Sequence, residues 1–436
     1  MVRQGANRAT PRLRFPEFRE ALGWSEKVLG DEGEFLSTLT GKSAKDFGKG
    51  TARYVTYMNV FSNTFTDMRS LGTVDVGSDE SQNAIQPGDV LFTVSSETPE
   101  EVGMSSVVIE AAPNCYVNSF CAMFRFSEGH QPNLRFLGYS LRQPFARRHL
   151  VKRAQGSTRF NLSKPAFRSL PLALPLPSEQ QRIADCLTSL DEVIAAQGRK
   201  VEALKAHKRG LMQQLFPREG ETRPRLRFPE FRNAPEWHEQ PLGELVDLLS
   251  GYPFDGKDIV EDRAGERLMR GINITEGVVR HSPEIDRYYL GSMDGLEKYR
   301  LEEYDLVIGM DGSKVGKNSS LILGDDVGAL LIQRVARLRA PSVPLISFIF
   351  HQIHSPKFHA YVDRINTSSG IPHISAKQIR DYLIHSTGDA EQQRIADCLS
   401  SLDSQIIAES NRLAALKTHK QGLMQQLFPA PDAATA

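Results

Sequence analysis

Apolar positions in two stretches of this chain recur at alternating spacings of four and three. The first series runs Ile183, Leu187, Leu190, Ile194, Gln197, Val201, Leu204, Lys208, Leu211, Leu215. The second runs Ile395, Leu399, Leu402, Ile406, Glu409, Leu413, Leu416, Lys420, Leu423, Leu427. Neither stretch contains proline before its end, so each reads as one long helix. A helix lying on a globular core drifts off a seven-residue repeat, whereas this spacing holds for about five heptads and predicts a coiled-coil seam. Each copy interrupts the seam with polar residues at the same two places. Antiparallel pairing would bring Gln197 near Lys420 and Glu409 near Lys208, fixing the register at some cost in stability.

The match between the two series belongs to a larger repeat. Residues 11–19, PRLRFPEFR, recur letter for letter as 224–232, an offset of 213. The helical stretches share EQQRIADCL, SLD and GLMQQLFP, with Glu391 following Glu179 by 212 residues. The chain is therefore a tandem duplication of leader, body and helix. Two copies are too few to stack as a solenoid, which leaves a pseudo-two-fold arrangement. The expected division is 1–178 (leader and first body), 179–217 (helix), 218–390 (leader repeat and second body), 391–429 (helix) and 430–436 (tail).

The bodies differ in sequence but keep one order of signals. Trp24 with Leu29-Gly30 answers Trp237 with Leu242-Gly243, and Asn59 answers Asn273 among apolar neighbours. A turn and strand at 86–92 answers 302–308. A helix-like stretch at 134–151 or 345–362 precedes a polar loop at 155–161 or 366–373. Short strand-like runs mixed with helix predict an α+β fold for each body.

Composition adds limits. With 436 residues, 40% hydrophobic and 24% charged, the chain is an ordinary soluble protein in class. It shows no signal-peptide core and no apolar run of the roughly 18 residues a membrane span needs, so the expected location is cytoplasmic, without a membrane partner. Cys186 and Cys398 occupy matching places in the repeat and read as small buried apolar residues, not as metal ligands. The formal net charge of zero counts against a simple nucleic-acid binder. The local distribution differs: residues 129–178 contain no Asp or Glu but carry Arg135, Arg142, Arg147, Arg148, Lys152, Arg153, Arg159, Lys164 and Arg168.

Two apparent chemical motifs fail on spacing. Residues 309–320 look like a phosphate-binding loop, but Asp311 stands at the required first glycine and Asn318 at the hydroxyl position that holds Mg²⁺. His351, His354 and His359 lack the Glu and spacing of a zinc helix and read as a surface helix facing DNA or water. No metal site and no catalytic residue are expected.

The RLRFPEF leader ahead of a Trp, the PGD turn before a strand, the loop ending in Leu162-Ser163 or Ile374-Ser375, and the helix from EQQRIA to LFP occur twice in the same order. Over nearly the whole chain this layout resembles the specificity subunit of type I restriction-modification systems. The resemblance implies two similar globular target recognition domains joined by two long helices in an antiparallel coiled coil. Each domain would read one half of an asymmetric double-stranded DNA site. Two modification (methyltransferase) subunits would dock on the chain, with restriction (translocase-nuclease) subunits as further partners. The complex would be an adenine-specific methyltransferase and ATP-dependent endonuclease. S-adenosylmethionine, ATP and Mg²⁺ would belong to those partners, leaving this chain without a cofactor.

On that basis the candidate DNA contacts in the first domain are Arg148, Lys152, Arg153, Gln155, Ser157, Thr158, Arg159 and Asn161. In the second they are Arg364, Asn366, Thr367, Ser368, Ser369, His373 and Lys377, with Lys314 and Lys317 on another loop. Cations position a protein on phosphates, while Gln, Asn and Arg also read base edges. The alternative is a coiled-coil protein-protein adaptor, which fits the zero net charge and predicts no salt-sensitive DNA affinity, whereas several phosphate contacts demand a steep loss with salt.

Overall fold

The computed structural model describes residues 10–366 and 372–430. Each heptad stretch folds as a single helix of 39 residues, Pro177–Leu215 and Asp389–Leu427. Pro177 occupies a first-turn position where its missing N–H costs nothing. Pro217 and Pro429 follow the last turns, which a proline ring does not allow to continue. No seam position is exposed.

The chain divides into two compact units, Met1–Gly198 with Arg412–Ala436, and Arg199–Asn411, so each unit holds part of both long helices. Within the first, Ile183, Ala184 and Leu187 share a core with Leu427 and Phe428, while Asp191 meets Lys420. Within the second, Met212 and Leu215 pack with Ile395 and Leu399, Lys208 meets Asp403, and Lys200 meets Glu409. Rising numbers on one helix meet falling numbers on the other, so the pairing in each unit is antiparallel.

The seam lysines choose partners other than those the repeat suggested. Lys420 Nζ lies 2.5 Å from Asp191 and Lys208 Nζ 2.5 Å from Asp403, carboxylates that the repeat had not singled out. Asp191 and Asp403 each follow a seam leucine. A lysine stem can cover the seam while its ammonium reaches such a flanking carboxylate, so the ion pair stays partly hydrated and avoids the desolvation cost of a central position.

The identical leaders have a packing explanation. Arg14 grips Glu179 through both nitrogens, Nε to Oε1 at 2.9 Å and Nη2 to Oε2 at 2.6 Å, and Arg227 grips Glu391 at 2.7 Å through each. Arg182 covers the Phe15 ring and Arg394 the Phe228 ring, at 4.9 and 4.8 Å. The Leu13 amide donates to Gln426 and the Leu226 amide to Gln214. Each leader thus ties the start of one long helix to the end of the other, which accounts for the matching EQQRIA and MQQL segments.

Both bodies are built on the same four-stranded antiparallel sheet, consistent with the expected α+β fold. In the first unit its order is Gly33–Leu36, Cys121–Phe126, Val90–Thr93, Ser105–Val107. In the second it is Asp247–Ser250, Val335–Arg339, Leu306–Gly309, Ser319–Leu321. The strands at 90–93 and 306–309 are buried along their whole length, which is why both read as unbroken apolar runs. A turn closed by an aspartate precedes each: Asp89 accepts the Gln86 amide and pairs with Arg125, and Asp305 accepts the Glu302 amide and pairs with Arg339. The residue before the aspartate is left-handed in both, Gly88 at φ 96° and Tyr304 at φ 66°. A companion sheet of three strands in the first unit and four in the second completes each body.

Three local expectations are corrected. The helix-like stretches are each broken in two, Leu134–Leu141 with Pro144–Val151 and Val343–Ile353 with Pro356–Ile365, because Pro144 and Pro356 begin new helices. The histidine helix does not lie at the surface: His351 is fully buried, 3.2 Å from Ser400 Oγ, and burial holds its pKa well below the ordinary value. Its place in the first unit is taken by Tyr139, whose hydroxyl donates to Asp191 at 2.7 Å. Cys186 and Cys398 are half-buried on the long helices, and the fully buried thiols are Cys115 and Cys121.

Candidate nucleic-acid interface

The acid-free segment supplies two kinds of cation. Arg142 and Arg147 turn inward and donate to backbone carbonyls, Arg142 to Ser105, Val60, Phe61 and Asn63, and Arg147 to Gly103, Glu100 and Val102. Burial without a carboxylate partner lowers Arg142 to about 10. These two hold the fold together and are withdrawn from the surface charge. Arg148, Lys152 and Arg153, on and just after Pro144–Val151, remain exposed, as do Lys164 and Arg168. The loop at 97–101 nearby carries Glu97, Glu100 and Glu101, so the face is mixed in sign.

The polar loop of the first unit is a hairpin tip. Gln155 and Asn161 exchange backbone hydrogen bonds of 3.0 and 2.8 Å, which turns Gln155, Ser157, Thr158, Arg159 and Asn161 out to solvent. Gly156 at φ 134° makes the turn, where a Cβ would stand 2.0 Å from the Arg159 carbonyl. Phe160–Asn161 then pairs with Ser95–Ser96.

In the second unit the loop and the false phosphate-binding motif come together. Asp311 bridges His373, and the Gly312 amide donates to Pro372. Asn366 caps Pro356–Ile365 by donating to Val362 at 2.9 Å and accepts the His373 amide at 2.7 Å. Thr367, Ser368 and Ser369 lie outside the described residues. Arg364, His373 and Lys377 are exposed, with Lys377 paired to Asp381 at 2.5 Å. Lys317 pairs with Asp363 at 2.9 Å, whereas Lys314 lines a cleft of about 660 Å³ with Arg270, Arg280, Gln333, Arg334 and Asp311. Arg334 Nη1 donates to Asp311 Oδ2 at 2.9 Å.

One backbone position organises both regions. Val94 follows the strand at 90–93: its carbonyl accepts the Leu162 amide at 2.9 Å, and its amide donates to Phe120 at 3.3 Å. Met310 does the same after the strand at 306–309, accepting from Ile374 at 2.9 Å and donating to Arg334 at 2.9 Å. The polar loop and the turn that ends in Phe120 or Arg334 are thus bonded to opposite sides of one residue in each unit. Sequence reasoning missed Phe120, Arg270, Arg280, Gln333 and Arg334, because only strand register brings them to the loops. An aromatic or arginine just ahead of the strand at 121–126 or 335–339 was the one signal present.

Side chains gathered in this way are donors and acceptors suited to phosphates and base edges. Among the described residues no group of three His, Cys, Asp or Glu could hold a metal ion, and no helix is long and apolar enough to cross a membrane.

Comparison with known proteins agrees with the repeat. The family model of the type I restriction modification DNA specificity domain matches twice, at residues 22–206 and 235–418. The chain is 26% identical over 305 residues to the type I restriction enzyme MjaVIII specificity subunit of Methanocaldococcus jannaschii, covering 67% of this chain and 69% of the relative. It is 30% identical over 244 residues to the EcoAI specificity subunit of Escherichia coli, covering 54% of this chain but only 38% of that relative. The fold is similar to that of the S subunit of the type I restriction-modification system from M. genitalium, with TM-score 0.59 at 14% identity over 97% of this chain and 99% of the other. A second solved chain, from work on assembly and conformational transition of the type I R-M system, gives TM-score 0.56 at 16% identity over 97% and 100%. Two matches to that model, one on each copy of the body and most of its helix, mean that this chain belongs to the type I restriction-modification DNA specificity family.

Proposed function

We propose that the two units read the two halves of an asymmetric bipartite DNA site, and that the long helices set the spacer and dock two methyltransferase subunits. This chain performs no chemistry itself and holds no cofactor. S-adenosylmethionine, ATP and Mg²⁺ act in the partner subunits, with the restriction subunit joining the same complex, in the cytoplasm. The observation that carries this reading is one scaffold bearing unlike surfaces. The hydrogen bonds made by Val94 and Met310 are the same, while the side chains mounted around them differ almost completely. Equal frames orient both surfaces alike, and unequal chemistry asks for unequal half-sites.

The candidate contacts divide by type. In this reading Arg148, Lys152, Arg153, Arg159, Arg364, Lys314, Lys317 and Lys377 anchor the backbone, while Gln155, Asn161, Asn366 and His373, with the hydroxyls of Ser157 and Thr158, read base edges. Replacing residues 20–178 by the equivalent body of a relative should change one half of the methylated sequence and leave the other intact, as read by methylation-sensitive sequencing of host DNA. A change in both halves would mean the units do not read independently.

A further inference from the structure

We propose that the residue just ahead of the strand Cys121–Phe126 or Val335–Arg339 is a base-reading position in each unit: Phe120 meets a thymine 5-methyl group and Arg334 grips a guanine. This deepens the DNA-reading proposal above and rests on it. Three observations lead there. The two residues are equivalent by bonding, since each offers its carbonyl to the residue, Val94 or Met310, whose own carbonyl holds the end of the polar loop. Both side chains are exposed despite lying next to buried strands, Phe120 at 62% and Arg334 at 67%. Both are also held. The Phe120 amide donates to Asn118 Oδ1 at 2.8 Å, while Arg334 is kept at φ 67° and its guanidinium is oriented by Asp311.

An exposed phenylalanine on a fixed turn gains nothing from water, and a left-handed arginine carries backbone strain that the fold must offset. Those costs are understandable if both side chains are aimed at a ligand. The chemistry of each then names its target. An apolar ring contacts the thymine methyl in the major groove, and an arginine fork matches guanine O6 and N7. Arg270, Arg280 and Lys314 surround Arg334 in the 660 Å³ cleft and would hold the flanking phosphates. Asp311 is a positioning residue that sets the plane of the fork.

The test uses host cells carrying the full chain with its modification subunits. Methylated sequences are compared for the unaltered chain and for Phe120→Ala, Arg334→Ala, Arg334→Lys and Asp311→Asn. Thermal denaturation serves as a control on folding. Arg334→Ala should relax one G·C position in one half-site, lowering discrimination roughly ten- to a hundredfold there, and Arg334→Lys should relax it less. Asp311→Asn should relax the same position to a smaller degree. Phe120→Ala should relax one T·A position in the other half. Synthetic sites with uracil in place of that thymine should be methylated more slowly by the unaltered complex and no more slowly by the Phe120→Ala complex. A position relaxed by Arg334→Ala that is not G·C would overturn the proposal. So would a Phe120-dependent position other than T·A, or unchanged preferences in correctly folded variants. A complex with the unaltered chain that methylates no defined sequence would instead overturn the DNA-reading proposal, and this one with it.

Discussion

At the residue scale, the strongest commitments are the two buried arginine-glutamate pairs. Arg14 is 6% exposed and Glu179 only 1%, so each charge depends on the other for its solvation. Removing one partner strands the other, and Arg14→Ala is expected to cost roughly 3 to 5 kcal/mol in urea denaturation. The double replacement Arg14→Met with Glu179→Leu should cost less than Arg14→Ala alone, since no charge is then left buried. A double replacement as costly as the single would show that the pair contributes through geometry and not through charge. A second residue-scale consequence concerns pH. Burial lowers both His149 and His385 to about 4, against an ordinary value of about 6.5. Above about 6.5 folded and unfolded chains are both neutral at these rings. As pH falls from there toward 4 the unfolded chain takes up protons that the folded chain refuses, so stability is lost across that window. Urea midpoints measured between pH 7 and 5 should fall, and fall less steeply in His149→Gln. An equal slope in that variant would place the titration elsewhere.

At the scale of elements, the long helices and the body sheets obey different rules. The helices follow from a period, and every seam position that the period marked is at least partly buried. Their polar partners follow from reach instead, which is why Lys208 and Lys420 meet Asp403 and Asp191. Each helix of 39 residues is roughly 55 to 60 Å long, against about 34 to 36 Å for one turn of DNA. Inserting one heptad into a single helix preserves the seam pattern on that helix but offsets it by about 10 Å from its partner. Such a variant is expected to alter the spacer between half-sites or to abolish binding, as read by methylation-sensitive sequencing. An unchanged spacer would refute the role of the helices as a measuring rod. The paired prolines Pro144 and Pro356 show the limit of reading by period, since an apolar rhythm ran through both and the backbone did not.

At the scale of the whole molecule, duplication, helices and family were legible because each leaves a mark along the chain. Identical leaders point to identical contacts, and the Arg14 and Arg227 grips are those contacts. A seven-residue rhythm is local, and so is the alternation of strand and turn. Local physics therefore settled that the chain is one plan written twice, an α+β body followed by a heptad helix, while the antiparallel pairing of the helices was decided by contacts in space. Folding in space settled which charges of the acid-free segment stay outside, because Arg142 and Arg147 find carbonyls that lie 37 to 82 residues away. It also settled where Phe120 and Arg334 stand. Their neighbours at the loop, Leu162 and Ile374, are about forty residues further along. Pairings over such distances depend on strand register, which no run of neighbouring residues encodes by itself.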